Sequence, residues 1–226
     1  MKRKTDIFFL SILILGLSVA CASSSLLSND KNNNNTDITS SNNTATNTLL
    51  EEDFSNSNSG WDHYTDGDYQ AYYEDGKYFI LNKDVQAYAW GLANKFFSDT
   101  SISVDTQLVS GPQDVESGII CRQNGNDFYY GIVSVDGYYG IFKSNDDEYT
   151  MIQMESMLYN ESINKANGVN KIRFDCIGST LSLYANDILL AQVSDSDYTN
   201  GDIGFIVGTY DEGDAKFSFD NLVVTN

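Results

Sequence analysis

Hydrophobic and polar residues alternate with a period of two along much of this chain. Ile102, Val104, Thr106 and Leu108 interleave with Ser101, Ser103, Asp105 and Gln107, and Ile172, Phe174 and Cys176 interleave with Lys171, Arg173 and Asp175. Successive side chains of a strand point to opposite faces, so these runs predict half-buried β-strands. Further strands are predicted over 77–82, 86–92, 117–123, 128–135, 138–144, 150–154, 180–185, 188–194, 204–209 and 216–224. Turn signals separate them, among them Asp75-Gly76, Asp136-Gly137, Asn186-Asp187 and Asn200-Gly201. No segment carries a sustained helical period, and 154–166 reads as a long surface loop. Many short strands joined by tight turns predict an all-β sandwich or barrel.

The first 50 residues follow a different pattern. Lys2, Arg3 and Lys4 precede an apolar run from Ile7 to Ala20, and Cys21 follows Leu17-Ser18-Val19-Ala20. A charged start, a short apolar stretch and a small residue before a Cys predict a bacterial lipoprotein signal over 1–20, with Cys21 as the acylated first residue of the mature protein. Ser18 stands where Leu or Val is usual, which keeps cleavage without lipidation as the alternative. The run is too short to span a bilayer. Residues 21–49 are rich in Ser, Asn and Thr and lack aromatics. They cannot bury enough apolar surface to offset their ordering entropy, so a disordered tether is expected, with the folded domain at 50–226. The implied location is the cell envelope, outside the cytoplasm and lipid-anchored to a membrane.

Charge narrows the partners. The formal net charge is −19, and loss of the signal removes three basic residues and one acidic residue, leaving it more negative. Nucleic acid is disfavoured because no basic face is available for phosphates, and membrane attachment has to come from acyl chains. Neutral sugars and divalent cations remain compatible.

With Cys21 lipidated, Cys121 and Cys176 remain, each within a strand pattern. In an exported chain an even pair is expected to form a disulfide; two buried free thiols are the competing reading. His63 is the sole histidine and has no partner signature, so neither a zinc site nor a Ser-His-Asp or Cys-His centre is indicated.

The order of motifs then points to a family. It runs through Glu52-Asp53-Phe54, Ser59-Gly60-Trp61, Gly118-Ile119-Ile120-Cys121-Arg122, Asn126-Asp127-Phe128-Tyr129-Tyr130, Asp136-Gly137-Tyr138-Tyr139-Gly140-Ile141 and Phe219-Asp220-Asn221-Leu222-Val223-Val224. This resembles the concanavalin A-like lectin/glucanase superfamily, especially its LamG-like and 3-keto-disaccharide-hydrolase-type jelly-roll modules, over nearly all of 50–226. The resemblance implies a sandwich of two curved antiparallel sheets whose concave face is a groove that holds carbohydrate in many members. It also implies that the opening strand near Phe54 pairs with the closing strand near Phe219. A structural calcium is implied as well, with Asp220 as ligand, the Gly76 carbonyl as a second and Asp53 nearby, since a hard cation takes oxygen ligands.

The Glu, Asp, Glu run at alternate positions that glucanase relatives use is absent here. The close acidic pairs lie among Gly, Ser and Asn, where acids mark solvated turns, so no catalytic residue is assigned. Binding has more support, because sugar rings stack their C–H faces on aromatic rings. Tyr88, Trp90, Arg122, Tyr130 and Tyr139 are the candidate groove residues, Arg122 as a bidentate donor. The plainer reading of any such ring is core or cross-strand packing. Three function classes follow: a carbohydrate-binding lipoprotein, preferred; a noncatalytic interaction or envelope-structural module; and a glycoside-active enzyme.

Overall fold

A computed structural model describes residues 47–226, and its strands fall where the sequence alternates or runs apolar. The expected signal, Cys21 and all but the last residues of the expected tether lie outside the described residues. The strands are β1 (Thr48–Glu52), β2 (Tyr64–Asp66), β3 (Tyr69–Glu74), β4 (Lys77–Asn82), β5 (Ala87–Phe97), β6 (Thr100–Ser110), β7 (Glu116–Asn124) and β8 (Asp127–Ser134). They continue as β9 (Tyr138–Asn145), β10 (Glu148–Met151), β11 (Leu158–Tyr159), β12 (Asn170–Ile177), β13 (Thr180–Ala185), β14 (Ile188–Ser194), β15 (Gly201–Thr209) and β16 (Ala215–Thr225).

These strands form two antiparallel sheets packed as a sandwich. The nine-stranded sheet runs β14-β13-β12-β6-β16-β4-β3-β2, with β1 also on β16; the seven-stranded sheet runs β10-β9-β8-β7-β15-β5, with β11 on β9. The chain crosses between sheets at β4 to β5, β5 to β6, β6 to β7, β11 to β12 and again at β14 to β15 to β16, the wrapped connectivity of a jelly roll. Between the sheets lies one large core. At its centre Phe205 stacks on Phe219 at 4.4 Å and on Trp61 at 4.6 Å, while Phe54 stacks on Tyr78 at 5.5 Å. Trp61 is therefore a core residue.

The opening strand does pair with the closing one, but further along than expected: Leu50 opposes Val224, and Phe219 opposes Tyr78 of β4. A bulge between Asp220 and Val223, with Asn221 in the left-handed region at φ 53°, breaks the ladder. One stretch of β16 is thus left for β4 and the other for β1. Cys121 and Cys176 are joined in a disulfide that ties β7 to β12, and so one sheet to the other. Their separation of 55 residues gives a stabilisation of about 4 kcal/mol from the restricted unfolded chain.

Candidate binding face

Alternation places the residues of the seven-stranded sheet on its two faces. On β8, Tyr129 and Val133 look into the sandwich, while Phe128, Tyr130 and Ile132 look outward. On β7, Ile119 and Cys121 look inward and Ile120 outward. The outward set forms a second apolar cluster: Ile120, Phe128, Tyr130, Ile132 and Ile206 are buried, with Tyr88, Trp90, Leu92, Phe142, Tyr149 and Met157 half-buried around them. Tyr130 stacks on Phe142 at 5.0 Å, Tyr88 lies 5.1 Å from Tyr149, and Trp90 lies 5.9 Å from Phe128. Four outward positions are glycines, and neighbours fill the space. A Cβ on Gly140 would come within 2.6 Å of the Phe142 ring, and one on Gly204 within 2.8 Å of Leu92. The aromatic side chains thus lie down across the sheet.

A buried acid stands at one end of this face. Glu116, at the start of β7, opposes Gly208 and Ser134 and is 1% exposed. Tyr88 Oη donates to its Oε1 at 2.9 Å and Tyr210 Oη to its Oε2 at 2.5 Å. A Cβ on Gly208 would lie 2.5 Å from that Oε1 and 2.6 Å from the Tyr88 ring, so glycine makes room for the arrangement. Burial raises the Glu116 carboxyl to about 7, against the two tyrosine hydrogen bonds that favour its charged form. The Tyr130 hydroxyl is buried without a hydrogen-bond partner among the described residues, and the nearby Glu116 charge adds to the burial that holds its proton on.

The predicted site residues divide. Tyr88, Trp90 and Tyr130 do come together on the outer face, although Tyr130 is fully buried there. Tyr139 does not: it points into the sandwich core and is 6% exposed. Arg122 is also not a groove donor. Alternation from Ile120 would put it on the outer face, but it adopts the left-handed conformation (φ 56°) at a bulge where the β7–β8 register shifts. Its guanidinium turns inward and donates to the carbonyls of Tyr198 (2.9 Å), Cys176 (3.0 Å) and Ser98 (3.4 Å) and to Asp99 Oδ1 (3.1 Å). It closes one end of the sandwich.

The implied cation ligands are otherwise engaged. Asp220 lies 3.9 Å from the Lys77 ammonium and accepts from the Asn221 N–H at 2.8 Å. Asp53 accepts from the N–H (3.0 Å) and hydroxyl (2.7 Å) of Ser55, which lowers its carboxyl below the usual range. Gly76 holds a turn at φ 73°. Among the described residues no three His, Cys, Asp or Glu side chains gather as a metal site.

The β5 border of this sheet is covered. The Asp62 N–H donates to the Leu92 carbonyl (2.9 Å), Leu92 N–H donates to Asp62 Oδ2 (3.1 Å), and Tyr64 Oη donates to the Trp90 carbonyl (2.6 Å).

Glu116, Phe128, Phe142 and Tyr149 were not singled out by the sequence. The available signal was an acid within the apolar run 115–121, in the same alternation register as Ile120.

No protein-family model and no curated protein sequence matches the chain. Solved structures do. A carbohydrate-binding module, CBM66, of Bacillus subtilis superposes with a TM-score of 0.52 at 17% identity, over 74% of this chain and 96% of that one. A Bacillus licheniformis β-glucanase gives 0.56 at 14% over 78% and 97%. A Bacillus subtilis protein with a galectin-like fold gives 0.58 at 12% over 79% and 95%. At such identities the likeness is one of fold: this chain shares the two-sheet jelly roll of glucanases and carbohydrate-binding modules.

Proposed function

We propose that this protein is a noncatalytic, carbohydrate-binding lipoprotein of the bacterial cell envelope, anchored to a membrane through acylated Cys21. The observation that carries the reading is the aromatic layer on the outer face of the seven-stranded sheet, with Tyr88, Trp90 and Tyr149 at its partly open margin. Rings held this way offer flat apolar surfaces for the C–H faces of sugars. The fold neighbours named as a carbohydrate-binding module and a β-glucanase support the same reading. Glu116 has both oxygens engaged by tyrosines, an arrangement suited to holding side chains rather than to acid–base turnover.

Glycan-array binding by the unlipidated protein, produced from residue 21 onward with Cys21→Ser, tests it. A specific hit lost in Trp90→Ala is expected; a blank array with correctly folded protein overturns it. Repeating the array with calcium and then a chelator tests the cation, whose binding would have to displace Lys77 from Asp220. Calcium is expected to raise the melting temperature of the parent and not of Asp220→Asn. Lipidation is read by mass spectrometry of the membrane-extracted protein, with the acyl mass expected on Cys21.

One observation favours a second reading, a protein-interaction or envelope-structural module. The centre of the aromatic layer is filled by its own side chains, since Ile120, Phe128, Tyr130, Ile132 and Ile206 are all buried. A blank array followed by a partner protein whose binding requires Trp90 would establish it.

A further inference from the structure

Glu116 presents a problem that the binding reading leaves unsolved. Its carboxylate is buried at one end of the aromatic layer, where an acid adds nothing to apolar packing. Two tyrosines converge on it from different elements: Tyr88 from β5, on the side of the sheet where Trp90 sits, and Tyr210 from the segment after β15. The Tyr210 hydroxyl also lies 3.4 Å from Met157 Sδ. Tyr88 is also the ring that packs against both Tyr130 (5.7 Å) and Tyr149 (5.1 Å), so the direction in which it is held fixes the margin of the aromatic face.

We propose that Glu116 is the positioning residue of the aromatic face: its carboxylate holds the hydroxyls of Tyr88 and Tyr210, and proton uptake on it releases that grip and weakens glycan binding. The inference rests on the outer face being the binding face. An ionised carboxylate offers two acceptor oxygens, one for each tyrosine; protonation converts one of them into a hydroxyl that must itself donate. The titratable groups facing Glu116 are Tyr88, Tyr210, Tyr130 from β8 and Asp136 from the β8–β9 turn. Burial keeps the three tyrosines protonated, and Asp136 adds like charge, so the proton that moves in the neutral range is the one on Glu116.

The test has two arms on the unlipidated protein. Without ligand, the Glu116 side-chain carboxyl is followed by carbon NMR against pH, alongside the near-ultraviolet circular dichroism of the tyrosines. A Glu116 midpoint near neutrality with a tyrosine signal that follows it is expected; a midpoint in the ordinary carboxylate range, or a tyrosine signal indifferent to it, overturns the proposal. With soluble β-1,3-1,4-glucan as the probe, binding is expected to be about tenfold weaker near pH 6 than near pH 8, as follows when only the ionised form is competent. Glu116→Gln is expected to bind weakly at every pH, and an unchanged pH profile in that variant overturns the proposal. Should Glu116→Gln fail to fold, Tyr210→Phe serves instead: losing one donor to the carboxylate should raise the Glu116 midpoint, and an unmoved midpoint counts against the clamp. The ligand-free arm separates the two readings, since absence of glucan binding at all pH values with the expected titration removes the sugar and leaves the clamp in place.

Discussion

The outer faces of the two sheets are built on opposite plans. On the nine-stranded sheet the outward residues of β6 and β12 are Ser101, Ser103, Asp105, Lys171, Arg173 and Asp175. Several of them pair: Ser101 Oγ donates to Asp175 at 2.6 Å, Arg173 forms an ion pair at 3.1 Å with the same carboxylate, and its guanidinium covers the Tyr184 ring at 3.6 Å. On the seven-stranded sheet the outward residues include Trp90, Ile120, Phe128, Tyr130 and Phe142, and the buried acid at the end of this layer, Glu116, is held by tyrosines. A free antiparallel sheet keeps one face polar. The β6–β12 part of the nine-stranded sheet does so, and the seven-stranded sheet carries an aromatic layer instead, which is why function is sought there.

The contrast can be broken most strongly by removing a ring. Phe128→Ala should cost about 4 kcal/mol in denaturant unfolding, because it opens a cavity in a packed layer, whereas Ser103→Ala on the opposite face should change stability by less than about 0.5 kcal/mol. Equal effects would mean that the aromatic layer is not a packed unit. Next in size, Arg122→Ala should destabilise by about 3 kcal/mol, since several buried carbonyls lose their donor, while leaving glycan affinity unchanged in the surviving folded fraction. A loss of affinity without a loss of stability would return Arg122 to the binding face.

A third prediction concerns pH. The Glu116 carboxyl titrates near 7 in the fold, against 4.5 ordinarily, so between those values the native chain keeps a proton that the unfolded chain has lost. Its contribution is therefore fully present below about pH 4.5 and is lost as pH rises through 7. Relative to Glu116→Gln, the parent should lose about 3 kcal/mol of stability between pH 5 and pH 8. Binding should move the opposite way over the same range. Smallest of all, Lys216→Ala removes an ion pair to Glu74 (3.0 Å) and a cation over Phe79 (4.3 Å) on the polar face, and should cost about 0.5–1 kcal/mol, part of it screened by salt.

The same contrast explains what the sequence disclosed. Clean alternation was legible in β6 and β12, both in the nine-stranded sheet, because one face there is wet. Strands β7, β8 and β15 read instead as almost continuous apolar runs, since both of their faces are buried. Their existence was legible, and so was the jelly roll, but the direction of each ring was not. Tyr130 and Tyr139 look equivalent in the sequence and lie on opposite faces. Arg122 was misplaced for a different reason: a one-residue bulge reverses the alternation, and nothing in Cys121-Arg122-Gln123 marks a left-handed residue. Strands β2, β3 and β11 were not foreseen, and β11 comes from the middle of the expected loop, where two residues suffice to pair with β9. Glu116 went unremarked because a lone acid near a strand end ordinarily faces water.

The cover over β5 has a consequence for how many molecules can stand side by side. A bare border strand beside Trp90, Leu92 and the 70%-exposed Phe96 would be an invitation to add a strand from a neighbouring copy, and then another. Asp62 and Tyr64 occupy the outward carbonyls of Leu92 and Trp90, so strand-by-strand polymerisation along this border is blocked. A single aspartate and a single tyrosine thus keep a sheet rich in exposed rings from serving as the template of a fibril along this border.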